Sequence, residues 1–247
     1  VDRYLDIRKR TEDICLPLAP EDYDAQVVVH ASPAKWQLGH VTWFFEEFIL
    51  SQHFAEYQRF NEKCSFIFNS YYNNIGDRTH RDKRGEIEIS ADQVYAYRKY
   101  VDKHMVQFLN SDNNQDFLSL VDIGLNHEQQ HQELLITDLK FMLSKLKPDG
   151  YYKDDGGFVH SRNTEEGWIS IDEGVYKIGF EGEAFCFDNE QERHKVYLHD
   201  FEITRTLVKN GEFIEFIEAG GYEDFNLWLD EGWAWVQEEK VSSPLYW

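Results

Sequence analysis

Only three cysteines occur in the 247 residues, Cys15, Cys64 and Cys186, an odd number with no C-x-x-C spacing. Neither a disulfide framework nor a thiolate zinc site is signalled, and a reducing, cytoplasmic location is expected. Long apolar runs are missing too: none approaches the roughly 18 residues of a membrane span. The first residues, VDRYLDIRKRTEDIC, are charged and lack the apolar stretch of a secretion signal, so neither leader nor anchor is expected. Positive charge is scarce, with 25 Lys and Arg against 46 Asp and Glu, for a net charge of −21. Such a field repels phosphates and anionic headgroups, which argues against nucleic acid and membrane surfaces as partners.

What is present is apolar and aromatic, 42% and 16% of the residues, enough large side chains for buried cores. The length favours two compact units over one. From Val1 to about Leu146 apolar residues recur at three and four positions, and Gly and Pro fall mainly at breaks. Four helices are expected. The first spans about residues 2–16, closed by Pro17 and Pro20, and the second about 33–54, with Ser32 as N-cap and Pro33 in the first turn. The third covers about 91–109 after a Ser90 cap, and the fourth about 116–146, ended by Pro148 and Gly150. Between the second and third lies a long irregular stretch, 62–89, of a kind that more often carries function than not. The expected fold class is α+β: a helical bundle over residues 1–148, a linker over 149–166, and a unit over 167–247 that mixes strands with a helical LVKNGEFIEFIEAGG.

The sharpest local signal is NHEQQHQELL, in which His127 and His131 lie four apart on a helical segment and so share one face. His40, in WQLGHVTWFFEEF, sits on another expected helix among Trp36, Trp43 and Phe44; a buried imidazole there needs a partner. Facing side chains on neighbouring helices commonly build metal sites in bundles, which makes His40, His127 and His131 a candidate ligand set. If so, metal should be lost as pH falls below about 6.5, the ordinary histidine value. Glu128, Glu133 and Asp138 are candidates to orient the ligand rings. The same residues satisfy the H-E-x-x-H pattern of zinc peptidases, with Glu128 as general base. Leu134 occupies the place of the glycine in the extended metzincin form, yet a form drawing its third ligand from a later helix stays open.

Five blocks in order, ASPAKWQLGHVTWFFEEFIL, FNSYYNNIGDRTHRDKRG, NHEQQHQELLITDLK, FDNEQERHKVYL and LVKNGEFIEFIEAGGY, resemble those of EgtB-type sulfoxide synthases of ergothioneine biosynthesis. The resemblance implies a DinB-like four-helix bundle joined to a C-type-lectin-like domain of the formylglycine-generating-enzyme type. It also implies a non-haem Fe(II) cofactor that couples cysteine or γ-glutamylcysteine to hercynine with O₂, giving a sulfoxide. Carried over, the iron ligands fall on His40, His127 and His131. Gln130 falls on a position that bonds the hercynine imidazole, and Arg81 and Arg84 on positions that hold the carboxylate of the thiol substrate. Tyr71 or Tyr72 falls where some members place a proton-donating tyrosine. Family members continue well past the PLYW segment, so a partial lectin-like domain is expected, with apolar surface that favours self-association and weak turnover by this chain alone. Two other readings stand beside this one: a zinc hydrolase using Glu128, and a bundle that binds metal or thiol without oxidative chemistry.

Overall fold

The computed structural model describes residues 1–70, 76–111, 115–147 and 165–247. The chain divides into two compact units, Val1–Asp155 and Gly156–Trp247. The expected linker, 149–166, lies almost wholly outside the described residues.

The first unit is helical: α1 (Asp2–Cys15), α2 (Ala34–Phe45), a short α3 (Lys63–Ile67), α4 (Ala91–Leu109) and α5 (Leu118–Leu146). Helix α4 starts where the sequence places it, because Ser90 and Gln93 form a reciprocal capping box. The Ser90 hydroxyl accepts the Gln93 N–H at 3.2 Å, and the Gln93 side chain accepts the Ser90 N–H at 2.9 Å. Helix α2 departs from expectation at both ends. Its N-cap is Pro33, with no side-chain cap, and Ser32 instead uses its hydroxyl to accept a hydrogen bond from Arg84. At the other end the helix passes through a π turn, Glu46–Leu50, before a last turn at Ser51–His53. That widened turn carries two buried acids: Glu46 accepts from the Tyr57 and Tyr97 hydroxyls, and Glu47 from Arg59.

Every residue of α2 is buried, as suits a helix that packs against both α4 and α5, while α1 packs against α5. Gly39 makes a further approach feasible, that of the Phe68 ring just past α3: a Cβ there would stand 2.1 Å from that ring, far inside van der Waals contact. The core also contains charge. The Glu128 carboxylate on α5, fully buried, accepts from Arg8 on α1 at 3.0 Å, Arg98 on α4 at 3.1 Å and the Thr11 hydroxyl at 2.7 Å. Arg8 also reaches Asp102 and Thr42, and Arg98 reaches Glu12 and the Leu38 carbonyl, so the cluster touches all four long helices.

The second unit pairs β1 (Trp168–Ile171) with β4 (Phe201–Thr204) and β2 (Gly174–Ile178) with β3 (His194–Leu198), both antiparallel. Trp168 stands opposite Thr204 in the first ladder, and Gly174 opposite Leu198 in the second. Helix α6 (Asn210–Glu218) follows as expected, then α7 (Asp230–Glu239), which the sequence reading did not assign. Many apolar side chains of this unit are solvent-exposed, Leu207 at 91% and Leu229 at 87% among them. Helices followed by a small mixed unit give the α+β class. No helix among the described residues is long and apolar enough to cross a membrane.

Burial alone opposes ionisation of Glu128, but Arg8 and Arg98 outweigh it and hold the carboxyl down to about 2. Its contribution to stability is therefore present above the ordinary carboxylate range and is lost as pH falls toward 2. Glu128→Gln leaves two buried guanidinium groups without their shared counter-charge. The expected cost is about 3–5 kcal/mol in denaturant unfolding at pH 7. A loss under about 1 kcal/mol would show that the cluster does not anchor the bundle.

Candidate metal centre

His40 sits midway along α2, and His127 and His131 sit one turn apart on α5. Their ligand atoms all lie within 4.8 Å of one another, the one such group among the described residues. Ring centroids are 5.1 Å apart for His40 and His127, 4.7 Å for His40 and His131, and 4.6 Å for His127 and His131. Stacking holds the His40 ring: Trp36 covers one side at 4.6 Å and Trp43 lies at 5.5 Å, both nearly parallel to it.

The hydrogen bonds leave the right atoms free. His40 Nδ1 lies 2.7 Å from the Phe68 carbonyl, which can only accept, so Nδ1 carries the proton and Nε2 keeps its lone pair. His131 Nδ1 lies 2.5 Å from the Gln37 side-chain oxygen, and the Gln37 amide donates to Asp138 at 3.0 Å. His127 Nδ1 is buried and makes no hydrogen bond among the described residues. Such an orphan costs about 1–3 kcal/mol unless a ligand or ion meets it. Burial is the main force that lowers the proton affinity of all three rings. It brings His127 to about 4 and, with His127 close by, His131 to about 3; His40 falls well below its ordinary value, pushed further by both neighbours. Three neutral, converging imidazoles are the donor set that a borderline divalent metal takes, with coordination positions left over.

The groups expected to orient these rings divide. Asp138 reaches His131 only through Gln37, Glu133 is exposed, and Glu128 belongs to the arginine cluster. That last placement corrects the peptidase reading. A general base must reach a metal-bound water and have a proton affinity near neutrality. Glu128 is instead fully buried, engaged with two guanidinium groups and a hydroxyl, and ionised far below pH 7.

The three histidines open onto a cavity of about 340 Å³ that Arg81, Arg84 and Gln130 also line. Arg84 is buried and fixed: it stacks 3.4 Å over Trp36 and donates to the hydroxyls of Ser32 at 2.8 Å and Ser70 at 3.3 Å. Arg81 is exposed and donates to the His30 carbonyl at 3.0 Å. Gln130 is exposed, and its amide makes no hydrogen bond among the described residues. Lys83 pairs with Glu86 and lies outside the lining. Tyr71 and Tyr72 fall outside the described residues. Sequence reasoning missed Gln37, Ser32 and Ser70 as parts of the site. Gln37 carried a usable signal, being three residues before His40 on the same helix and hence on its face.

Comparison with known proteins adds two findings. Residues 158–245 match the sulfatase-modifying factor enzyme 1-like domain family. A hercynine oxygenase of Mycolicibacterium smegmatis is 30% identical over 125 residues, which is 50% of this chain and 28% of that protein. A hercynine oxygenase of Mycolicibacterium thermoresistibile is 36% identical over 73 residues, 30% of this chain and 16% of that protein. One of Mycobacterium tuberculosis is 37% identical over 65 residues, 26% of this chain and 15% of that protein. The matched stretches thus cover less than a third of each relative's length.

The low proton affinities revise the pH window expected from sequence. Below pH 6.5 an unfolded chain protonates its histidines, while His127 and His131 in the fold stay neutral until about 4 and 3. The unfolded state then binds more protons, so stability falls with pH by about 1.4 kcal/mol per unit for each such ring. Denaturant unfolding of the metal-free chain should show this decline between pH 6.5 and 5. Metal affinity of the still-folded chain should stay nearly flat over the same range. A metal affinity that collapses at pH 6 with the fold intact would contradict the buried, neutral rings.

Proposed function

We propose that this homologue of the hercynine oxygenases holds one Fe(II) through His40, His127 and His131. We further propose that the bundle is the metal-binding half of an enzyme joining a thiol to hercynine with O₂ to give a sulfoxide. The observation that carries the reading is the convergence of the three rings, with ligand atoms within 4.8 Å, at the head of a cavity lined by two arginines. A three-histidine site also suits zinc; the choice of iron rests on the relatives.

Fe(II) in this site supplies the redox chemistry for making a carbon–sulfur bond with O₂. The remaining tasks fall to the chain. Arg84 is the proposed anchor for the carboxylate of cysteine or γ-glutamylcysteine: its guanidinium is already held by Ser32, Ser70 and Trp36, so little freedom is lost on binding. Arg81, at the exposed rim, is the second carboxylate contact. Gln130 extends from the turn that carries both α5 histidines and is the proposed hydrogen-bond partner of the hercynine imidazole. A phenol of Tyr71 or Tyr72 is the proposed proton donor to the reacting oxygen. With Glu128 locked in the arginine cluster, hydrolysis lacks its base.

Anaerobic titration of the metal-free chain tests this reading. One Fe(II) per chain is expected, with affinity reduced at least about tenfold in His40→Ala and in His131→Ala. Hercynine with cysteine or γ-glutamylcysteine should then perturb the spectrum of the nitric oxide adduct, with only slow O₂ uptake by this chain alone. Arg84→Met should weaken the thiol's effect about 10–100-fold while sparing Fe(II) affinity. Peptide cleavage with zinc that ignores O₂, or Fe(II) binding indifferent to His40→Ala, would overturn the proposal.

A further inference from the structure

We propose that Gln37 is a positioning residue for the metal site, held by Asp138 so that His131 presents Nε2, and never Nδ1, to the other two histidines. This deepens the reading above and rests on it for its metal, but not for its ring geometry. Gln37 is buried at 3% exposure, and Asp138 lies about two turns further along α5 than His131. One oxygen of Asp138 accepts two N–H donors, the Ser32 backbone at 2.9 Å and the Gln37 amide at 3.0 Å.

The logic is one of donor and acceptor parity. An amide side chain has one end that donates and one that accepts, and seen alone it can point either way. A carboxylate oxygen already accepting a backbone N–H fixes the choice: the NH₂ end of Gln37 must face Asp138, and the oxygen end must face His131. The nearby ring nitrogen, Nδ1 at 2.5 Å, is then obliged to carry hydrogen, and Nε2 is left as the basic nitrogen. His40 reaches the same tautomer by a shorter route, donating Nδ1–H to the Phe68 carbonyl at 2.7 Å. A backbone carbonyl cannot reverse its polarity. An amide can, which is why Gln37 needs Asp138 and the carbonyl needs nothing. Ser32 completes the arrangement, as its N–H ties Asp138 to the start of α2 while its hydroxyl holds Arg84.

The tautomer can be read without any metal, from ¹⁵N shifts of the histidine ring nitrogens in the metal-free chain. Nδ1–H is expected for His131. An Nε2–H ring in the unmodified chain would overturn the proposal outright, whatever the fate of the variants. Gln37→Leu should shift His131 toward a mixture of tautomers and lower Co(II) and Fe(II) affinity about 10–100-fold, the range for losing an outer partner of a metal ligand. Asp138→Ala should have a similar effect, because it removes the acceptor that holds the Gln37 amide in one orientation. Folded single variants with unaltered tautomer and metal affinity would overturn the relay. His131→Ala separates the two readings: if it too leaves affinity unaltered, the metal site itself has failed, and if it alone weakens binding, only the relay has.

Discussion

A carboxylate with no access to water, clamped between two guanidinium groups from different helices, governs how the first unit is assembled. Glu128 accepts from Arg8 of α1 and Arg98 of α4, and the same arginines reach Thr42 and Leu38 of α2. Hydrogen-bond geometry is directional where apolar packing is not, so this cluster sets the roll of α5 about its own axis. Successive residues on a helix turn by about 100°. With Glu128 committed to the α1 and α4 side, His127 and His131 are rotated toward α2 and the cavity. The cluster lies outside the cavity lining, yet the aim of two imidazoles follows from it.

The third imidazole is fixed by a different device. Guanidinium, indole, imidazole and indole form a continuous stack from Arg84 through Trp36 and His40 to Trp43. His40 cannot swing without displacing a tryptophan, and its Nδ1–H is tied to the Phe68 carbonyl. Phe68 in turn lies against the bare α-carbon of Gly39, so the residue next to His40 is a glycine because a ring must fit there. The two walls of the site are therefore held by unlike forces, ionic on α5 and dispersive on α2.

Much of this was legible in the sequence, and the misses have physical reasons. Helix periodicity placed the four long helices, and the Ser90 cap marked the start of α4. The i, i+4 pair gave the shared face of His127 and His131. The H-E-x-x-H pattern offered Glu128 as a base, and the helix period could not decide against it, because the spacing is the same in either role. Its arginine partners lie 120 and 30 residues away, a distance no local pattern spans. Ser32 read as a cap because serine before proline usually is one; Arg84, 52 residues on, claims its hydroxyl instead. Helix α7 was missed because DEGWAWVQEE carries a glycine and two tryptophans over barely three turns, too short for a clear period. The histidine proton affinities follow from burial, which sequence does not give.

Charge links the cavity to the metal site. In a chain of net charge −21, the cavity is lined by two arginines, by Asp138 and by His40, His127 and His131, whose low proton affinity leaves them uncharged at neutral pH. Arg84 is among the causes that keep His40 and His131 unprotonated, after burial and the neighbouring histidines. One guanidinium thus has two parts in the proposed function: it would take the carboxylate of the thiol, and it disfavours a proton on His40 and His131.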